Sequence, residues 1–181
     1  MAEGLICLCG FPGSGKTTVG KALAEKLGYK FVDLDVEIER QEGRSLEKIF
    51  ETDGESYFRA MEVLIGTPLF EAKKQVLALG GGALTNPELL TLATRNAFLV
   101  YLDVADAWTL YDRLQGQPVR PLLAGIESYE AFEGTYRRLM SRRRPAYERA
   151  RLTIQTDKLT PDQIVERIAT RLASPVRDVR H

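Results

Sequence analysis

The run Gly10-Phe11-Pro12-Gly13-Ser14-Gly15-Lys16-Thr17 matches the pattern G-x-x-x-x-G-K-[ST] without a gap, and it constrains the chain more than any other stretch. Glycines at those spacings open backbone conformations closed to residues with a Cβ, so successive N–H groups can turn inward around a phosphate chain. That arrangement requires a strand before the loop and a helix after it. Leu5 to Cys9 is a continuous apolar run suited to a strand buried on both faces. Val19, Ala22, Leu23 and Leu27 then recur at helical spacing until Gly28 closes the helix. A glycine-rich turn without a ligand fits the eight letters but not this context. The helix N-terminus favours an anion, Lys16 can reach the β- and γ-phosphates of a nucleotide, and the Thr17 hydroxyl can ligate Mg²⁺.

The remaining sequence alternates strand and helix. Lys30–Asp35 reads as a strand whose period delivers Asp33 and Asp35 in alternation beside the phosphate loop. Val36 to Gln41 is a short helix broken by Gly43, and Ser45 caps another carrying Leu46, Ile49 and Phe50. From Glu55 an apolar stripe of Phe58, Met61, Leu64 and Ile65 predicts a helix with Arg59 and Glu62 as surface neighbours, which Pro68 should kink or interrupt. Val76 to Leu79 is a strand ending in Gly80-Gly81-Gly82, a triple glycine that implies a ligand close to the backbone rather than a linker. A helix starts at Asn86-Pro87, a strand covers Phe98 to Leu102, and a helix covers Val104 to Gln115.

Gly116 to Gly125 is a glycine- and proline-punctuated loop around Arg120, long enough to act as a lid. Ser128 to Ala150 is largely helical, Leu152 to Gln155 is a fifth strand, Pro161 to Leu172 a final helix, and the tail from Ser174 should fray. No two strand signals are joined by a hairpin turn. The expected fold is therefore α/β, a three-layer α/β/α arrangement with a five-stranded parallel sheet, in one domain spanning residues 1–181.

Charge narrows the partners. Twenty-five basic residues balance twenty-five acidic ones, so no global field draws the chain toward nucleic acid or anionic lipid. No secretory leader and no membrane-length apolar run are legible, which places the expected protein in the cytoplasm with small-molecule partners. Cys7 and Cys9 alternate within one strand and read as buried thiols. The single histidine is His181, so a proton acceptor must be a carboxylate, for which Asp35 leads, or solvent. The arginines at 137, 138, 142, 143, 144, 149 and 151 lack interleaved aromatics that would stack bases. Many should be solvated, about half of the cluster making surface salt bridges, and others should serve a nucleotide and an anionic acceptor.

Six segments together resemble the shikimate kinase family of the nucleoside-monophosphate-kinase-like group. They are the phosphate loop continuing through Gly20, Phe31-Val32-Asp33-Leu34-Asp35, Gly54-Glu55 through Phe58-Arg59 and Glu62, Gly80-Gly81-Gly82, Arg120-Pro121-Leu122-Leu123, and Arg143-Arg144-Pro145-Ala146-Tyr147. The resemblance implies ATP-dependent phosphorylation of shikimate in aromatic amino acid (chorismate) biosynthesis by a monomer. It implies that Gly13, Ser14, Gly15, Lys16, Thr17 and Thr18 hold the ATP phosphates, and that Thr17 and, through water, Asp33 position Mg²⁺. Asp35 would bind the acceptor hydroxyl, while Arg59 and Arg143 clamp the carboxylate and the Gly81 backbone meets a ring hydroxyl. Glu62 would orient Arg59, Arg113 border the adenine, Arg120 swing in with a lid over about 114–126, and Phe50 and Phe58 supply apolar walls. Ala78, Ala146 and the Gly66-Thr67-Pro68 interruption depart from the family pattern without removing a ligand. Another small-molecule kinase, acting on gluconate or a nucleotide, and a nucleotide-dependent switch without catalysis are the competing readings.

Overall fold

Alternation along β1 (Leu5–Cys9) feeds two hydrophobic cores. Leu5, Cys7 and Cys9 enter one, Ile6 and Leu8 the other, and all five are buried. The computed structural model describes residues 4–117 and 121–174. Among these, β1 is the centre of a five-stranded sheet with β2 (Lys30–Asp33), β3 (Gln75–Ala78), β4 (Ala97–Asp103) and β5 (Leu152–Gln155). The spatial order is β2-β3-β1-β4-β5 and every pairing is parallel. Parallel neighbours require crossovers, and the helices supply them on both faces.

One face is covered by α1 (Lys16–Leu27) and α8 (Pro161–Ala173), which bury Val19, Leu23, Ile164 and Ile168 against Ile6, Leu8 and Val100. The other face carries α2 (Leu34–Glu42), α3 (Leu46–Thr52), α4 (Gly54–Leu69), α5 (Pro87–Asn96), α6 (Ala107–Leu114) and α7 (Tyr129–Tyr147). The three-layer α/β/α expectation is met. Both thiols are sealed in: burial raises Cys7 well above its ordinary value and pushes Cys9 up to about 12, so neither is a nucleophile. No helix among the described residues is long and apolar enough to cross a membrane.

Several boundaries differ from the sequence reading, each for a local reason. β2 stops at Asp33 because its carboxylate caps α2, accepting from the Asp35 N–H at 3.1 Å. Asp35 therefore stands in the first turn of a helix, not in strand alternation. In α4 the inward row is Phe58, Glu62, Ile65 and Gly66, while Leu64 is 65% exposed, so a carboxylate takes a place that the stripe assigned to an apolar residue. Pro68 does not interrupt α4, because the helix ends one residue later at Leu69 and no further turn remains to be displaced. α6 starts at Ala107, three residues later than expected, since Asp106 accepts from the Trp108 and Thr109 N–H groups and takes the cap. β3 and β4 lie within a residue of their expected limits. The expected fraying beyond Ser174 concerns residues outside those described.

Close approach of α1 to the sheet depends on Gly20. A methyl group there would lie 2.4 Å from the Phe31 ring and 3.3 Å from Leu8 Cδ1. Gly→Ala inside a helix normally gains up to about 1 kcal/mol. Here overpacking should outweigh it, and Gly20→Ala should lose about 1–2 kcal/mol of stability in urea unfolding. An unchanged or raised midpoint would show that Phe31 yields freely.

Candidate active site

All five strands run the same way, so the loops after their carboxyl ends share one edge of the sheet. The loop after β1 turns on Gly13 (φ 85°) and Gly15 (φ 94°), both in the left-handed region that favours glycine. Gly15 caps α1 without a side-chain acceptor, and the first intrahelical bond is Val19 N–H to the Gly15 carbonyl at 2.9 Å. The N–H groups of the first turn are thus left to face outward toward an anion. Lys16 Nζ lies across the loop and donates to the carbonyls of Gly10 (2.9 Å) and Phe11 (3.1 Å). Thr17 Oγ1 donates to Asp33 Oδ2 at 2.8 Å, with Asp33 itself held by its capping bond.

These groups line a cleft of about 400 Å³ that includes Gly13 to Thr18, Asp33, Asp35 and Gly81. Its far end reaches Arg113, Gln117, Thr156 and Leu159. Arg113 Nη2 donates to the Thr156 carbonyl across a long 3.4 Å, which places α6 beside the loop after β5. Ser14, expected only for its position in the loop, is 1% exposed and its Oγ has no partner among the described residues.

A smaller pocket of about 60 Å³ adjoins the cleft and shares Pro12, Asp35 and Gly81 with it. Leu46, Phe50, Phe58 and Leu139 form apolar walls, and the short 3₁₀ turn Pro121–Leu123 also lines it. Its polar side holds Asp35, Arg59, Glu62 and Arg143 against Gly80, Gly81 and Gly82. The glycines are a steric requirement of those side chains. A methyl group on Gly80 would lie 2.7 Å from Asp35 Oδ1 and 2.8 Å from Glu62 Oε1. On Gly81 it would lie 3.2 Å from Arg143 Nη1, and on Gly82 2.5 Å from Arg59 Nη2. The close contact that the sequence assigned to a ligand is made, in the first instance, by the protein's own charged groups.

Electrostatics in this corner are unbalanced. Arg59 Nη1 pairs with Glu62 Oε2 at 2.7 Å and Nη2 with Glu55 Oε1 at 3.1 Å. Burial works against its charge, yet those two partners together hold it above its ordinary value. Burial likewise dominates at Glu62 and raises its carboxyl above the usual range despite Arg59. Arg143 is 4% exposed, its Nη1 has no hydrogen-bond partner among the described residues, and burial lowers its affinity for a proton. Its guanidinium rests 5.6 Å from the centroid of the Phe11 ring. Of the seven clustered arginines Arg143 alone is buried; the other six are exposed, and Arg137 makes a surface salt bridge to Glu133 at 2.8 Å.

The structure thus gathers Lys16, Thr17, Thr18, Asp33 and Arg113 around the cleft, and Asp35, Arg59, Gly81 and Arg143 around the pocket beside it. Arg120 lies outside the described residues. Sequence reasoning missed Tyr147 as a site component: its hydroxyl donates to the Gly81 carbonyl from the end of α7. Its place four residues after Arg143, on the same helix face, was the available signal.

Comparison with known proteins bears on the same geometry. The family model described as shikimate kinase matches residues 12–173. The chain belongs to the shikimate kinase family. A shikimate kinase of Chlorobium phaeobacteroides is 41% identical over 177 residues, covering 96% of this chain and 93% of the relative. The solved shikimate kinase of Acinetobacter baumannii in complex with shikimate superposes with a TM-score of 0.87 at 36% identity, covering 94% of this chain and 93% of that one. Deoxyadenosine kinase from M. mycoides, at 14% identity and a TM-score of 0.58 over 93% of this chain and 97% of that one, shares the fold alone. Family membership makes the protein a kinase with a phosphate loop.

A raised folded-state value at Glu62 fixes the sign of its pH dependence. Its contribution to stability is fully present below the ordinary carboxylate value of 4.5 and is lost as pH rises through the higher folded value. The advantage of wild type over Glu62→Gln should therefore shrink between pH 4.5 and neutrality in urea unfolding. An advantage that grows over that interval would mean that Arg59 depresses the carboxyl instead.

Proposed function

We propose that this protein transfers the γ-phosphoryl group of ATP to the 3-hydroxyl of shikimate, giving shikimate 3-phosphate and ADP. The observation that carries the acceptor assignment is Arg143, a buried guanidinium with an unpartnered N–H beside Gly81, in a pocket that opens onto the phosphate-loop cleft. A buried cation with spare donors calls for an anion, and the Arg59 fork beside it suits a planar carboxylate. The shikimate bound to the Acinetobacter baumannii relative supports the reading.

In this mechanism Gly13 to Thr18 bind the ATP phosphates through loop N–H groups, and Arg113 borders the adenine. Arg59 and Arg143 hold the shikimate carboxylate, while the Gly81 backbone meets a ring hydroxyl. Asp35 accepts the proton of the 3-hydroxyl as its oxygen attacks the γ-phosphorus and the bond to the β–γ bridging oxygen breaks. Lys16, released from its carbonyl partners by the incoming phosphates, follows the charge onto the transferring group, and Arg120 completes the neutralisation from the lid.

No cluster of three acidic, histidine or cysteine residues fit to cage a metal occurs among the described residues, but Thr17 and Asp33 present hard oxygens together. That fits Mg²⁺, which takes one or two protein oxygens and completes its shell with phosphates and water. Thr17 would hold it directly and Asp33 through water, and when bound it neutralises phosphate charge. The reading extends to one domain over residues 1–181 with a lid at about 114–126, and to a cytoplasmic monomer without nucleic-acid or membrane partners.

An ADP-release assay offering shikimate, gluconate and nucleoside monophosphates tests the assignment. Turnover is expected with shikimate only; turnover of a rival without shikimate, or ATP binding with no turnover at all, contradicts it. Lys16→Ala should lower kcat by about 10²-fold or more with an unchanged circular dichroism spectrum. A loss within about threefold, roughly 0.65 kcal/mol, would remove Lys16 from the transition state.

A further inference from the structure

Tyr147 stands behind the proposed acceptor pocket, its hydroxyl bonded to the carbonyl of the pocket residue Gly81, and the mechanism gives it no part. It ends α7, is 1% exposed, and its ring packs against Tyr101 with centroids 5.0 Å apart. The Tyr101 hydroxyl donates to Asp103 Oδ1 at 2.6 Å, so the partner ring is itself fixed to the end of β4. The Tyr147 ring therefore has little freedom to choose another place for its oxygen.

That oxygen is close to two of the groups assigned to hold shikimate. The hydroxyl donates to the Gly81 carbonyl. The Arg143 guanidinium, one helical turn earlier on the same face, is close enough that Tyr147 opposes the loss of charge that burial imposes on Arg143. Only a glycine lets the backbone come this close to Arg143: a methyl group on Gly81 would stand 2.9 Å from Pro12 Cδ and 3.2 Å from Arg143 Nη1. The loop that carries Gly81 leaves the sheet ladder after Ala78, and the bonds that follow run from Leu79 N–H to the Leu8 carbonyl and from Ala83 N–H to the Gly80 carbonyl. Between those anchors, the Gly81 carbonyl accepts from this side chain 66 residues away.

We propose that Tyr147 is a positioning residue for the acceptor, its hydroxyl setting the Gly81 peptide and the Arg143 guanidinium in register so that a ring hydroxyl and a carboxylate are met together. The proposal rests on the functional reading above. A tyrosine that merely fills the core would do its work through the ring, and loss of the oxygen would not distinguish one substrate from the other. A positioning tyrosine acts through the oxygen, and its loss falls on the acceptor side alone.

Tyr147→Phe keeps the ring and removes the oxygen. Steady-state kinetics should show KM for shikimate raised about tenfold, with kcat within about threefold and KM for ATP unchanged. Tyr101→Phe, which deletes a neighbouring buried hydroxyl from the same stack, should leave KM for shikimate within about twofold. A second measurement needs no variant: in wild-type protein carrying ¹³Cζ-tyrosine, shikimate without nucleotide should shift the Tyr147 resonance and spare that of Tyr101. The proposal is overturned if Tyr147→Phe leaves KM for shikimate within twofold. It is equally overturned if both KM values rise together, if kcat alone falls, or if shikimate leaves the Tyr147 resonance in place. Failure of the functional reading looks different, since wild-type protein would then not turn over shikimate, and the proposal would fall with it.

Discussion

Asp35, Glu62, Arg59 and Arg143 all press onto three consecutive glycines just after β3, and the layout of the proposed acceptor pocket depends on that contact. Any side chain on Gly80 or Gly82 would occupy space already taken by a carboxylate or a guanidinium. The contact brings the charges together and also removes them from water. Desolvation follows from the packing, and it is the first cause acting on the ionisation of Glu62, Arg59 and Arg143 alike.

Desolvated charges in so small a space must be matched, and the matching here is uneven. Glu62 is committed to Arg59 through a 2.7 Å pair. Arg143 has an aromatic face, a tyrosine hydroxyl nearby and a donor that nothing described satisfies. A buried donor without an acceptor costs about 1–3 kcal/mol, a cost that a bound carboxylate would reverse. The same logic applies beneath the phosphate loop, where the ammonium of Lys16 holds two loop carbonyls that a nucleotide's phosphates would replace. Both substrates are thus expected to complete interactions that the folded chain leaves unfinished, and the two sites meet at Pro12, Asp35 and Gly81.

What could be read in the letters was local. The phosphate loop, its flanking strand and helix, the Gly28 stop and the Ser45 cap depend on neighbours a few residues apart, and each is found where the sequence placed it. Asp35 was legible as a site residue but not as a helical one, because Asp33 can end a strand or cap a helix and the choice is made by the Asp35 N–H. Glu62 was legible as a neighbour of Arg59, yet its burial was not, since the stripe of Phe58, Met61, Leu64 and Ile65 is as regular as the true one. The partnership of Tyr147 with Gly81 was invisible. It joins two segments distant in sequence, and the packing of α7 against the 3₁₀ turn Ala83–Thr85, just past the glycines, creates it.

The central claim is that Arg143 is kept buried and incompletely bonded in order to receive the acceptor's carboxylate. Titration calorimetry with shikimate and with its methyl ester, in wild type and in Arg143→Met, tests it most directly. The account predicts that wild type binds the ester about 10²-fold more weakly than the acid, and that Arg143→Met loses most of that preference while its affinity for the ester barely changes. Equal affinity of wild type for acid and ester, or a preference that survives intact in Arg143→Met, would contradict it.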